Sequence, residues 1–137
     1  MSTRTAPPDG LPALPPPLPK VNLAEKLAKI DEPWRPKIVA ELNGQEVRVV
    51  RIEGAFVWHR HDNEDELFLV VSGRLRVELR DGVVELSPGE LVVVPRGVEH
   101  RTASEEGAEV VVFEPAATRN TGNVVDPRFT APTGVRI

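Results

Sequence analysis

The sequence predicts an all-β fold, a sandwich or barrel of short strands, and three observations predict it. Between Lys37 and Glu114, 30 of 78 residues are Val, Ile, Leu, Phe or Trp, and 17 of those are Val, a composition typical of strands. Turn signals at Asn43-Gly44, Gly54, Ser72-Gly73, Asp81-Gly82, Ser87-Pro88-Gly89, Arg96-Gly97 and Glu106-Gly107 divide the stretch into eight short runs. Even spacing with tight connections is the pattern of a sheet that packs or closes on itself. A chain of 137 residues suits one such domain and leaves no room for two.

The elements follow in chain order. Residues 1–20 hold seven of the 14 prolines, and missing donors with fixed φ predict an extended or disordered tail. Residues 21–36 read as a short helix and linker packing on the barrel. Leu23, Leu27 and Ile30 share one helical face, Asn22 is the N-cap with Glu25 three residues on, and Pro33 and Pro36 end the segment. Residues 37–114 form the β-domain. The run RLRVELR alternates, with Leu75, Val77 and Leu79 opposing Arg76, Glu78 and Arg80, whereas ELFLVV is apolar on both faces and needs cover outside. The helix or a second subunit can supply that cover, and a homodimer with twofold symmetry is expected. Gly73, Gly82 and Gly97 fall where a tight connection needs φ above zero. Residues 115–137 are a C-terminal tail.

Composition excludes several functions. Seventeen Lys and Arg against 21 Asp and Glu give a net charge of -4, so the basic field that holds nucleic acid or an anionic membrane is missing. With no cysteine, a metal would need nitrogen and oxygen ligands. There is no apolar run of membrane-spanning length and no secretory-type start, and a cytoplasmic location is expected. No second helix completes a helix-turn-helix, no Gly-x-Ser-x-Gly surrounds a serine, and no phosphate-binding loop is present.

The three histidines carry the chemistry. In AFVWHRH a two-residue repeat turns His59, His61 and Val57 to one side and Phe56, Trp58 and Arg60 to the other. Glu66 follows the acidic turn Asp62-Asn63-Glu64-Asp65, so a hairpin would return its carboxylate beside the imidazoles, and His100 arrives from a separate strand pair. Three imidazoles and one carboxylate suit Fe, Mn, Ni, Cu, Co or Zn, one divalent transition metal per chain, and leave an octahedral ion two open positions. Of the strand arginines Arg48, Arg51, Arg74, Arg76, Arg80 and Arg96, one or two can face a cavity, and none is singled out.

The spacing resembles the cupin superfamily. The first motif reads Gly54, four residues, His59-x-His61, four residues, Glu66, six residues, Gly73; the second reads Gly89, five residues, Pro95-x-Gly97, two residues, His100. The family more often has five residues after the first glycine and an asparagine where Ser104 stands. The resemblance covers residues 37–114 and implies a conical β-barrel, or jelly roll, with His59, His61, Glu66 and His100 holding the metal inside. The segments Trp34–Lys37, Glu41–Gln45 and Thr118–Asn123 look like those of small stand-alone cupins of generally unassigned function. Three functions are then expected, in descending order: a metal-dependent oxygenase, isomerase, epimerase or decarboxylase acting on a small polar molecule; a non-catalytic small-molecule-binding module; and a structural domain.

Overall fold

The computed structural model describes Gly10 and residues 18–137, so the extended tail read over residues 1–20 lies largely outside the described residues. One helix and seven strands follow: α1 (Leu23–Ala28), β1 (Lys37–Leu42), β2 (Gln45–Ala55), β3 (Glu66–Gly73), β4 (Leu75–Leu79), β5 (Gly82–Leu86), β6 (Leu91–Val94) and β7 (His100–Pro115). All pairings between strands are antiparallel, in the order β1-β2-β7-β3-β6, with β4 joining β7 and β5.

The architecture turns on β7. Along one edge, β2 follows it from Gln45↔Pro115 to Ala55↔Ala103. The other edge is shared, with β3 pairing residues 108–113 and β4 pairing residues 100–103. The chain passes from β3 to β4 at Gly73, against the bend of β7 at Gly107. Gly73 has φ +77, and a methyl group there would overlap the Gly107 carbonyl oxygen and lie 2.9 Å from the Ala108 Cα. Only glycine fits that crossing.

Seven strands replace the eight runs because AFVWHRH forms none, and two turn signals are bends within strands that lengthen β2 and β7. Gly54 lies inside β2 at a register irregularity, and Glu106-Gly107 lies inside β7. The run AFVWHRH is not a strand; it follows the start of β7 through the Phe56 amide on Thr102 and a single bridge between His59 and His100. Strict alternation therefore fails there. Phe56 packs inside, its ring 5.3 Å from that of His59, while Trp58 lies on the outer side under Arg80 and Arg101. The turn between β4 and β5 is made by Arg80 and Asp81, and Gly82 does not take positive φ.

Side chains of alternate strand positions fill two cores. The interior holds Trp34, Val50, Ile52, Phe56, Phe68, Val70, Leu75, Val77 and Val110 among others. On the outside, Leu27 and Ile30 of the helical segment cover Val49 and Val111, with Leu69 and Val71 of β3 packed against them. The helix thus supplies the cover that the two-sided apolar strand requires. Its N-cap is as read, since the Asn22 side chain accepts from the Glu25 amide at 3.0 Å. Leu27→Ala is expected to cost about 2–4 kcal/mol in urea unfolding while leaving metal affinity unchanged. A loss below about 1 kcal/mol would show that the helix contributes little.

Candidate metal centre

Three separate pieces of backbone bring His59, His61, Glu66 and His100 to one point. His59 and His100 exchange both backbone hydrogen bonds, at 3.0 and 2.8 Å, which places a residue before β3 directly opposite the first residue of β7. Glu66 opens β3 and pairs with Val94 of β6. The His61 carbonyl accepts from the Gly97 amide at 2.8 Å, tying the first motif to the second. All four side chains are buried, and one donor atom from each lies within 4.8 Å of the others. Donors on one octahedral ion are roughly 3 Å apart when cis and roughly 4 Å when trans, a scale that these four donors, all within 4.8 Å of one another, approach. The four residues singled out in the sequence are thus the group that the fold brings together. Glu64 is not part of it.

Hydrogen bonding selects the ligand atoms. His59 donates Nδ1–H to the Val57 carbonyl and His100 to the Val98 carbonyl, each at 2.9 Å, which leaves Nε2 as the free lone pair in both rings. Nε2 of His100 and of His61 stand 3.2 and 3.3 Å from Glu66 Oε1. Both nitrogens of His61 are buried without a hydrogen-bond partner, an arrangement that costs free energy unless something else engages the ring's lone pair or its N–H.

The protonation states match a cation site. Burial, reinforced by His100, lowers His59 to about 4, so this ring stays neutral and able to ligate through the physiological range. Burial also opposes charge on His61, but the Glu66 carboxylate beside it outweighs burial and raises the ring above its usual value. For Glu66, the effect of burial is overcome by His100 and His61, and the carboxyl is held well below its usual range. Glu46, Arg48 and Glu114 are buried in the same interior. Burial and Glu66 favour the neutral form of Glu114, so Glu46 and Glu66 against Arg48 leave a formal surplus of one negative charge, which a bound cation would offset.

Comparison with known proteins agrees with this geometry. A family profile described as "Cupin domain" matches residues 44–114. The chain belongs to the cupin family. A cupin-2 domain protein from Shewanella frigidimarina is 37% identical with a TM-score of 0.68, the match covering 69% of this chain and 93% of that one. Protein NMB1881 from Neisseria meningitidis is 34% identical with a TM-score of 0.66, covering 72% and 100%. Uncharacterized protein YdbB of Bacillus subtilis is 34% identical over 67 residues, which is 48% of this chain and 59% of that relative's length.

Beside the His-His-Glu-His group this cupin has a chamber of about 40 Å³, walled by Val50, Ile52, Phe56, Phe68 and Val112 and bounded by Trp34, with His59, Glu66, Thr102 and Glu114 also facing it. Glu114 was not singled out by sequence reasoning. The signal was present: in AEVVVFE it alternates in step with the inward Val110 and Val112, just as Glu46 and Arg48 precede the inward Val50 and Ile52 of β2. Arg48 binds Glu46 at 2.6 and 3.0 Å and Glu114 and the Thr118 carbonyl at 2.9 Å, so the buried arginine is a structural pivot. The other strand arginines named above are partly or fully exposed. Burial and the neighbouring Glu66 push the Glu114 carboxyl well above its usual range. Ser104, at the motif's departure from asparagine, is buried and donates to the Arg74 carbonyl at 2.6 Å.

Proposed function

We propose that this cupin is a metal-dependent enzyme, an oxygenase, isomerase, epimerase or decarboxylase, acting on a small molecule at His59, His61, Glu66 and His100. The observation that carries this reading is the convergence of four buried donors, two of which, His59 and Glu66, face a chamber with room for a reacting group. A bound divalent transition metal, Fe, Mn, Ni, Cu, Co or Zn, would polarise an oxygen of the substrate or take part in electron transfer. The chain's part is to hold three neutral imidazoles and one carboxylate in place, keep bulk water out with Trp34 and Phe56, and present Glu114 to the reacting group. Metal analysis of untagged protein, followed by turnover and binding assays on a panel of small molecules, tests the proposal. One metal ion per chain with turnover supports it. Tight binding without turnover transfers the reading to a non-catalytic binding module.

The pH dependence has a definite sign. Metal needs neutral imidazoles, so affinity is expected to fall as pH falls. The decline should begin above the usual imidazole value of about 6.5, because Glu66 favours the protonated form of His61. Without metal, His59 is protonated less readily folded than unfolded. Its contribution to stability is therefore intact above pH 6.5 and lost as pH falls toward 4. Calorimetric titration showing equal metal affinity at pH 8 and pH 5 would contradict the histidine ligands.

We also propose a twofold homodimer. The short edge strand β6 exposes Leu91 and Val93, at 55% and 49%, directly across from Leu69 and Leu67 of β3. Sedimentation is expected to show a dimer that Val93→Arg converts to monomer. A wild-type monomer at high micromolar concentration would refute it. Among the described residues no helix is long and apolar enough to cross a membrane.

A further inference from the structure

The mouth of the chamber is narrowed by Trp34 and Phe56, which line it and belong to an aromatic cluster drawn from both flanks of the barrel. Trp34, from the linker after α1, stacks on Phe56 with ring centroids 4.7 Å apart, and Phe129 of the C-terminal segment meets both rings edge-on at 5.6 and 5.1 Å. The backbones around these rings are fastened. Asn123 and Arg60 hold the start of the C-terminal segment at 2.8 and 2.9 Å, and Ile38 and Val135 hold its end at 2.8 Å. Between these anchors, Asp126 accepts from the amides of Arg128 and Phe129 and sets the turn that presents the Phe129 ring. Trp34 adopts φ +66, an unusual conformation for a bulky residue, with its amide held by the Arg51 carbonyl at 2.9 Å.

The interior behind these rings has no free positive group for a charged ligand. Arg48, the buried arginine, has its guanidinium occupied by Glu46, Glu114 and the Thr118 carbonyl, and among the described residues no other lysine or arginine faces the chamber. Away from a bound ion, a phosphate or second carboxylate would lose its hydration with no cationic side chain to replace it. The amide of Asn120 is occupied by the Phe129 carbonyl and the Ala131 amide. The polar groups left for a ligand are Thr102 and the unpartnered, buried Oε2 of Glu114. The remaining wall is aliphatic and aromatic.

We infer that the chamber takes a small molecule with an apolar body and a single uncharged hydroxyl-bearing head, and that the side chains of Trp34 and Phe129 swing aside to admit it. At about 40 Å³ the closed chamber holds only one to three water-sized groups, so anything as large as a phenol must displace a ring at the mouth. The inference rests on the metal-centre proposal only for where the head lies. The body is selected by the walls whether or not an ion is bound.

Phenol is the apolar probe and glyceraldehyde 3-phosphate the charged one, each titrated into the full chain with and without manganese. Binding is followed by the Trp34 indole NMR signal in a Trp58→Phe background, which removes the outer tryptophan. Phenol is expected to shift the Trp34 signal in both forms and to bind at least about tenfold more tightly than the phosphate. Val112→Phe, which fills the chamber, should abolish the shift. If that variant fails to fold, Thr102→Ile on the same chamber serves instead. Preferential binding of the phosphate, a phenol response unaffected by the filled chamber, or no response to either probe would each overturn the inference. Metal content is measured on the same samples. Phenol binding without metal uptake would refute the metal reading alone, and metal uptake without phenol binding would refute this one alone.

Discussion

His61→Ala is expected to lower metal affinity by on the order of 100-fold or more, with no comparable loss of metal-free stability. Removing any one of four ligands weakens a metal site, but His61 has a second property. Neither of its buried ring nitrogens makes a hydrogen bond while the ring is neutral, and the Nε2 contact with Glu66 at 3.3 Å stabilises the fold only once the ring is protonated, so at pH 8 the metal-free protein gains little from the ring's polar atoms. In the wild type, saturating metal at 100 times its dissociation constant should stabilise the fold by about 2.7 kcal/mol. The melting temperature of the His61→Ala variant should not respond to metal at that concentration. Glu64→Gln is the control, since Glu64 lies two residues before Glu66 yet outside the donor group, and it should respond like the wild type. Titration calorimetry with thermal melts reads both quantities. Wild-type metal affinity in the alanine variant would remove His61 from the centre.

The second large effect is structural. Gly73→Ala is expected to destabilise the fold by more than about 3 kcal/mol and to yield little soluble protein. Two penalties combine there: positive φ, and a new methyl group driven into the Gly107 carbonyl and the Ala108 Cα, both of which are backbone and cannot rotate away. Gly97→Ala isolates the first penalty, for Gly97 has φ +81 but open space where a Cβ would sit, and should cost only about 1–2 kcal/mol. Equal urea midpoints for the two variants would mean that the β3-β4 crossing is not as tight as described.

The grouping of His59, His61, Glu66 and His100 was legible because it is a spacing property. His59 and His61 point the same way even in irregular backbone, and the glycine and proline positions around Glu66 and His100 fix where the chain returns. The faces of the surrounding residues were less legible. Phe56 was assigned to the side opposite His59 on the premise of a regular strand, yet the ladder there is reduced to one bridge, and Phe56 turns inward. Gly54 and Gly107 read as ends of strands because local sequence does not distinguish a turn from a bend that keeps its pairing. The buried Arg48 and Glu114 were hidden by the usual presumption that charged strand residues face water. The mouth of the chamber was least accessible to sequence reading, since it joins Trp34 to Phe129 across 95 positions with no periodicity between them.

Strand β7 carries His100 at its first residue and Glu114 one before its last, and it borders β2, β3 and β4. A nascent chain that has emerged only as far as β6 therefore has β2, β3 and β4 complete but lacks the partner that joins them, and it lacks a ligand as well. Closure depends on contacts between residues far apart in sequence, a topology associated with slow folding and with hydrophobic surface that stays exposed to aggregation in the meantime. A metal site built on these four residues would then form late in biogenesis, with the docking of the last strand.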